Sequence, residues 1–259
     1  MPVDQTEAVT DVFSEKLAQW RAYTESPWAR IRYATVGAVL RTHCDALGGP
    51  LRILDVGGGD GMDALPLAQA GHDVTIVDPS QPWLDEARRR ADTDGIGIRT
   101  LAAGLDDLPD GEWDLVLCHF VLRYRSAETD DLAALASRVR PGGRLSVMDV
   151  NPAGRVLRAL LVDGPSAASA ELGAERIAVQ TFQTDARKVE VEHVRAAARA
   201  AGLTPLGRYG HRIANDLLID NAPKDDPAFF EELLRLELEL CDREPFNRVG
   251  FAWQLVLER

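Results

Sequence analysis

The chain has 259 residues, 46% hydrophobic and 27% charged, a composition that supports a sizeable core and excludes the disordered and fibrous classes. Its 41 acidic and 29 basic residues give a net charge of −12, and only Lys16, Lys188 and Lys224 of the basic set are lysines. Phosphate backbones attract basic faces, so this balance argues against nucleic acid unless arginines gather on one side.

No apolar stretch approaches the roughly 18 residues a membrane span requires, so no membrane partner is expected. The acidic start "MPVDQTEAVTDVF" is unlike a signal peptide. Cys44, Cys118 and Cys241 lie far apart without metal-type spacing and read as buried free thiols of a reducing compartment. A cytoplasmic protein is expected. Monomer and homodimer both stay open.

In chain order, residues 11–46 read as a helical region carrying Trp20, Tyr23, Trp28 and Tyr33, either a lid over a site or a helix packed on the core. "LRILDV" (51–56) is a buried-strand pattern, "MDALPLAQAG" a helix ended by Gly71, and "DVTIVD" (73–78) a second strand. "PSQPWLDEARRRAD" starts a helix with Ser80 as N-cap and Pro82 in its first turn. A short strand near 97–101, the strand "WDLVLCHF" (113–120), an amphipathic helix stopped by Pro141 and the strand "RLSVMDV" (144–150) follow. Strands alternating with helices predict a parallel sheet with right-handed crossovers.

After residue 150 the rhythm changes. Residues 151–189 show no clear strand and read as a helical insertion. A helix at 189–203, a strand at 205–213, a helix at 227–245 and a last strand at 249–258 complete the chain. One domain is expected: helices at 1–46, an alternating core at 47–150, the insertion at 151–189 and the rest of the sheet at 190–259.

Four glycines fall within five positions, at Gly57, Gly58, Gly59 and Gly61. A strand, a glycine turn and a helix make a corner where free N–H groups and bare backbone admit a nucleoside or an anion. Asp78 closes the second strand, 23 positions after Asp55, the separation expected of an acid that accepts ribose hydroxyls. The alternative is a tight strand–helix turn with no ligand. Asp55 reads first as a brace for the turn through its backbone N–H groups, and it is counted with the cofactor residues on that basis.

The spacing Asp55-x-Gly57-x-Gly59-x-Gly61 differs from the dinucleotide fingerprint G-x-G-x-x-G, which leaves a nicotinamide oxidoreductase the poorer reading. It resembles motif I of the class I methyltransferases, which bind S-adenosylmethionine. "LAAG" (101–104), "WDLVLCHFVL" and "RPGGRL" continue the series. With "HFVLRY", "NPAG" (151–154) and the tail "LELELCDREPF", the chain is similar, from about Phe13 onward, to the subfamily that methylates the carboxylate of 5-carboxymethoxyuridine in tRNA. That resemblance implies a Rossmann-like α/β fold with a seven-stranded, mostly parallel sheet whose last strand is antiparallel. The helical insertion would follow strand five.

The same resemblance implies S-adenosylmethionine as cofactor, with Arg32 on its methionine carboxylate, Gly57, Gly58 and Gly59 in the turn, and Asp78 on the ribose. Ala103 and Gly104 would lie beside adenine, and His119 would touch the cofactor or be a core histidine. Two departures matter. The relatives carry a polar Gln-Asp pair where this chain has Gly104-Leu105, and a lysine-rich loop where it has "GPSAASAELGAERIAVQTFQTDARK". The expected acceptor is therefore a small molecule with a carboxylate or an amine. The alternatives are tRNA, held by Arg155, Arg158, Arg187, Arg195 and Arg199, and a catalytically silent cofactor-binding protein. Arg123, Tyr124 and Arg125 follow strand four, where an arginine could clamp an anionic substrate. Asn151, His211 and Arg212 match family-like positions without a defined role. A carboxylate needs no general base; for other acceptors His119 and His211 are the candidates.

Overall fold

The computed structural model describes residue 20 and residues 23–126, 128–179 and 184–259. The helical stretch expected over 11–19, with Lys16 and Phe13, lies outside the described residues. Helix α1 spans Pro27–Leu47, and it begins there because the Ser26 side chain accepts from Ala29 N and Pro27 fills the first turn.

The sheet runs β1 (Arg52–Val56), β2 (Asp73–Asp78), β3 (Arg99–Ala102), β4 (Trp113–His119), β5 (Val139–Val150), β8 (Thr204–His211) and β9 (Ala252–Glu258). Its spatial order is β3-β2-β1-β4-β5-β9-β8. Pairings among the first five strands are parallel; β9 enters antiparallel between β5 and β8. Helices α2 (Leu65–Gln69), α3 (Gln81–Asp94) and α4 (Glu128–Arg138) make the crossovers, and α7 (Val191–Ala200) packs on α4 and the far strands. This is the seven-stranded, mostly parallel Rossmann-like sheet that the resemblance implied.

Central strands β1 and β4 are buried on both faces, which is why they read as continuous apolar runs. One core fills each side. Leu54, Val116 and Trp253 belong to one; Ile53, Ile76 and Leu115 belong to the other. Ser80 holds the N-cap position of α3, but its hydroxyl does not cap it.

The region 151–189 is not purely helical. After α5 (Pro152–Asp163) and α6 (Pro165–Gly173) it forms an antiparallel hairpin, β6 (Arg176–Val179) with β7 (Thr184–Arg187). Each strand has four residues, too few for a period-two pattern to emerge. Ile177 and Ala186 pair across it and bury against Val150, so tertiary packing makes the hairpin. The last helix, α8 (Pro227–Leu240), is capped by Asp226, which accepts from Phe229 N.

Asn151 acquires a role: its Oδ1 accepts from Ala153 N to cap α5, and its Nδ2 donates to Arg248 O and Gly250 O. The insertion is thereby tied to the loop before β9. Gly154 permits that approach, since a Cβ there would overlap the Gly250 carbonyl oxygen. Gly154→Ala is expected to cost about 1–3 kcal/mol through overpacking and to lower Tm by several degrees. Calorimetric melting of the variant beside the parent tests this; an unchanged Tm removes the contact as an anchor.

Candidate active site

A cavity of about 730 Å³ opens at the carboxyl ends of β1, β2 and β4, where doubly wound sheets place their ligands. Asp55, Asp78 and His119 enter its wall from those three strand ends. Gly57, Gly58 and Gly59 form its floor, with Ala103 and Gly104 on one side and Arg32 on another. The fold thus brings together every residue that the resemblance implied for the cofactor. Of the two general-base candidates, only His119 is in the wall.

The turn itself needs its glycines. Gly57 has φ +70°, and a side chain there would run into Val121; a Cβ on Gly58 would overlap the Asp55 carboxylate. Gly57 N and Gly58 N both donate to Val77 O, at 2.7 and 3.2 Å, and Gly59 N donates to Asp78 Oδ2 at 3.0 Å. These amides are therefore satisfied by β2, which corrects the reading of Asp55 as their acceptor. Asp55 Oδ2 has no hydrogen-bond partner among the described residues.

Asp55, Asp60, Asp63 and Asp78 are buried or nearly so around this floor, and all four line the cavity. Burial raises the Asp78 carboxyl to about 6 against the two amide bonds from Ser80 and Gly59. Burial also raises Asp60 to about 6, although Arg90 and Trp20 Nε1 (3.2 Å) oppose the shift. Asp55 is pushed well above the carboxylate range by burial and then by its three acidic neighbours. Asp63 goes the other way: burial would raise it, but Arg32 and His119 outweigh that and hold it well below the usual range.

The Asp63 bonds open a longer chain. Its Oδ2 accepts from Arg32 Nη1 at 3.1 Å and from His119 Nδ1 at 2.9 Å. His119 Nε2 lies 2.9 Å from Ser146 Oγ, which accepts from Gln254 Nε2 at 2.8 Å. Gln254 Oε1 lies 2.8 Å from His211 Nε2, and His211 Nδ1 lies 2.9 Å from Thr35 Oγ1. One set of directions satisfies all of these contacts. The Ser146 hydroxyl donates to His119 Nε2 and His211 Nε2–H donates to Gln254, while the one Thr35 proton is shared between His211 Nδ1 and the Arg32 carbonyl, 3.0 Å away. His211 is fully buried, lies off the cavity wall, and burial drives its pKa down to about 3. It is a core residue, not a general base. His119 reaches the cavity with both ring nitrogens engaged, so proton abstraction has no free nitrogen there.

Trp20, Tyr23, Trp28 and Tyr33 all line the cavity. Trp20 lies 5.1 Å from the Tyr23 ring and edge-on to Trp83 at 5.7 Å. Arg123, Tyr124 and Arg125 also face the cavity. Arg123 is buried against Asp149 at 2.7 Å, and Arg125 is held between Asp106 and Asp131. Arg155 and Arg158 are in the wall on α5, whereas Arg195 is on α7, paired with Glu192.

Asp60, Asp63, Phe120 and Phe251 were not singled out in the sequence. Asp63 had a readable sign, an acid in the apolar start of a helix. Phe120 had none, because its φ of +61° is set by the fold.

A doubly wound sheet with a glycine turn, an acid closing β2 and a cavity at the carboxyl edge defines an enzyme of the nucleoside-cofactor class. A family described as "Methyltransferase domain" matches residues 53–143. The tRNA 5-carboxymethoxyuridine methyltransferase of Escherichia coli K12 is 30% identical over 205 residues, 77% of each chain. The ubiquinone biosynthesis O-methyltransferase of Bordetella avium is 30% identical over 61% of this chain and 64% of its own. Magnesium protoporphyrin IX methyltransferase from Synechocystis PCC 6803, with bound SAH, superposes with a TM-score of 0.65 at 19% identity, covering 99% of this chain and 100% of that one. The chain belongs to the class I S-adenosylmethionine-dependent methyltransferases, and its cofactor is S-adenosylmethionine.

The residues present fit that cofactor. Asp55 Oδ2 and Asp63 Oδ1 are buried acceptors without a donor among the described residues, in a wall that suits a ligand bearing an ammonium and a sulfonium. Without a ligand the same acids repel one another. A carboxyl whose folded pKa is raised holds its proton longer when folded than unfolded, so its ionisation lowers stability as pH rises from the unfolded value upward. Asp55→Asn is therefore expected to raise the Tm of the cofactor-free protein, and by more at pH 7 than at pH 5. An equal gain at both values, or a loss, shows that the Asp55 charge is not the source of the strain.

Proposed function

We propose that this enzyme methylates a small acidic metabolite, and that the transferred methyl goes to an anionic oxygen. The observation that carries this reading is the polarity of the cavity. Asp55, Asp60, Asp63 and Asp78 gather around the glycine turn; Arg123, Arg155, Arg158 and Arg212 line the same cavity beside Asp163, Glu171 and Asp216, and Arg158 alone of its arginines lacks a carboxylate among the described residues. When bound, S-adenosylmethionine supplies a methyl on a positively charged sulfur, and transfer to a carboxylate cancels both charges, which exclusion of water favours.

The chain's own residues then have these tasks. Arg32, fixed at Nη1 by Asp63, would hold the methionine carboxylate. Asp78, whose oxygens each accept one amide, has lone pairs left for ribose hydroxyls. Gly57 to Gly59 would meet the aminoacyl portion through bare backbone. Ala103 and Gly104 would flank adenine, and a Cβ at Gly104 would meet nothing within 4 Å, so that side is open to a ring. His119 would brace Asp63 from beneath. Trp20, Tyr23 and Trp28 would cover the site and exclude water. An ionised acceptor needs no general base, in keeping with two histidines whose nitrogens are spent. Positioning is then the main contribution of the protein.

The tRNA reading draws on the subfamily resemblance and on the Escherichia coli relative. Against it stand the charge of −12 and the dispersal of Arg155, Arg187 and Arg195 over three elements. Labelled cofactor offered to carboxylate, amine and phenol metabolites beside bulk tRNA tests the choice. Activity on an acid should stay nearly flat from low to physiological salt; label in an anticodon uridine, with steep salt dependence, overturns it. Asp78→Ala should weaken cofactor binding by about 2–4 kcal/mol, two hydrogen bonds to a charged group being lost. Because the Asp78 carboxyl titrates near 6 in the free protein, parent affinity should fall by up to about tenfold per unit below that pH, a slope absent in the variant. Calorimetric titration between pH 5 and 8 reads both.

A further inference from the structure

Arg212 has φ +57°, a conformation uncommon for a residue with a long side chain. Strain of this kind persists only where the surroundings impose it. Here two buried charges do so. Glu237 of α8 accepts from Ile213 N at 2.8 Å and Asn215 N at 2.7 Å. Lys224, 2% exposed, donates to Asn215 O, Leu218 O and Asn221 Oδ1 at 2.7–2.9 Å. Neither side chain reaches the cavity. Together they lock the segment that follows β8.

That segment presents Arg212 and Asp216 to the cavity. The Arg212 guanidinium lies 4.0 Å over the Phe251 ring and makes two bonds to the Asp216 carboxylate, at 2.8 and 2.9 Å. The Asp216 carbonyl in turn accepts from Arg158 Nη1 at 3.0 Å. The other cavity arginines each have a carboxylate: Asp63 for Arg32, Asp149 for Arg123, Asp106 and Asp131 for Arg125, Glu171 for Arg155, Asp216 for Arg212. Arg158 has none among the described residues, only that backbone oxygen. Its charge is left over.

The position along the cavity matters as much as the charge. Phe120 lies 5.3 Å from the Arg32 guanidinium and 4.7 Å from that of Arg123. Phe251 is 6.4 Å beyond it, and Arg212 stands on Phe251. Arg158 joins this row through Asp216, whose carboxylate pairs with Arg212 and whose carbonyl accepts from Arg158.

We propose that Arg158 seats a second anionic group of the methyl acceptor, at the end of the molecule away from the atom that is methylated. The acceptor is then a compact diacid whose apolar, flat middle lies along Phe120 and Phe251. Arg212 stiffens the seat and Arg158 supplies the charge. The proposal rests on the acidic-metabolite reading given above.

Two aryl acids separate the possibilities: benzoate, with one carboxylate, and terephthalate, with one at each end. Both are titrated calorimetrically into the protein saturated with S-adenosylhomocysteine. Terephthalate should bind at least about tenfold tighter than benzoate, as a charge-assisted pair with arginine warrants. Arg158→Ala should erase that advantage, Arg158→Lys should keep part of it, and affinity for S-adenosylhomocysteine should stay at the parent value in both. Equal affinity for the two acids in the parent, no measurable terephthalate binding, or an advantage surviving in Arg158→Ala overturns the proposal while leaving the cofactor site standing. Failure of the parent to bind S-adenosylhomocysteine overturns the underlying reading instead. Salt-steep binding of bulk tRNA that is lost in Arg158→Ala, with neither acid bound, assigns the arginine to a phosphate backbone and also overturns it.

Discussion

A single carboxylate oxygen, Asp63 Oδ2, has to satisfy a guanidinium and an imidazole at once. From it a chain of hydrogen bonds runs through His119, Ser146, Gln254 and His211 to Thr35, touching β4, β5, β9, β8 and α1 in turn. Each member has its donor or acceptor met by the next, so the chain has one direction. Buried networks of this kind rigidify a core when complete and destabilise it when broken. Arg32 is held in place because the far side of the sheet holds Asp63 in place. The same bonds engage the ring nitrogens of both histidines.

Around that fixed point the cavity is electrically lopsided. Four aspartates share the floor near the glycine turn, and only Asp63 among them is held low by cationic neighbours. Like charges at such proximity are costly in a buried wall. The cost suits a site whose ligand brings positive charge, since binding removes the repulsion. The same cavity carries arginines on aromatic faces, with Arg123 over Phe120 and Arg212 over Phe251. The overall charge of −12 conceals this arrangement, because it sums over the whole surface.

Among the described residues two with side chains adopt left-handed backbone, Phe120 at φ +61° and Arg212 at φ +57°, and both stand in the cavity wall. They follow β4 and β8, and each is clamped by its neighbours. Phe120 N donates to Met148 O at 2.7 Å, and Glu237 takes the amides just after Arg212. Ordinary strand ends would carry the chain onward in extended form and aim these side chains elsewhere. The strain is located in the wall of the cavity.

The sheet, its order of crossovers and the cofactor corner were legible in the sequence. "RILDVGGGDG", "DVTIVD" and "WDLVLCHF" are local signals, in which burial on both faces leaves continuous apolar runs and a tight turn demands glycine. Asp78 was found because its task depends on its place at a strand end, which spacing reveals. The β6–β7 hairpin was not legible, since four-residue strands owe their form to what covers Ile177 and Ala186. Nor were the fates of the two histidines. His119 and His211 look alike in sequence, each closing a strand, yet one faces the cavity and the other Gln254 in the core. The unpaired charge of Arg158 was equally hidden among 29 basic residues. Sequence settles what backbone geometry and local burial require. Which charges meet, and which are left over, depends on partners tens to hundreds of residues away that only the folded chain brings within a few ångströms.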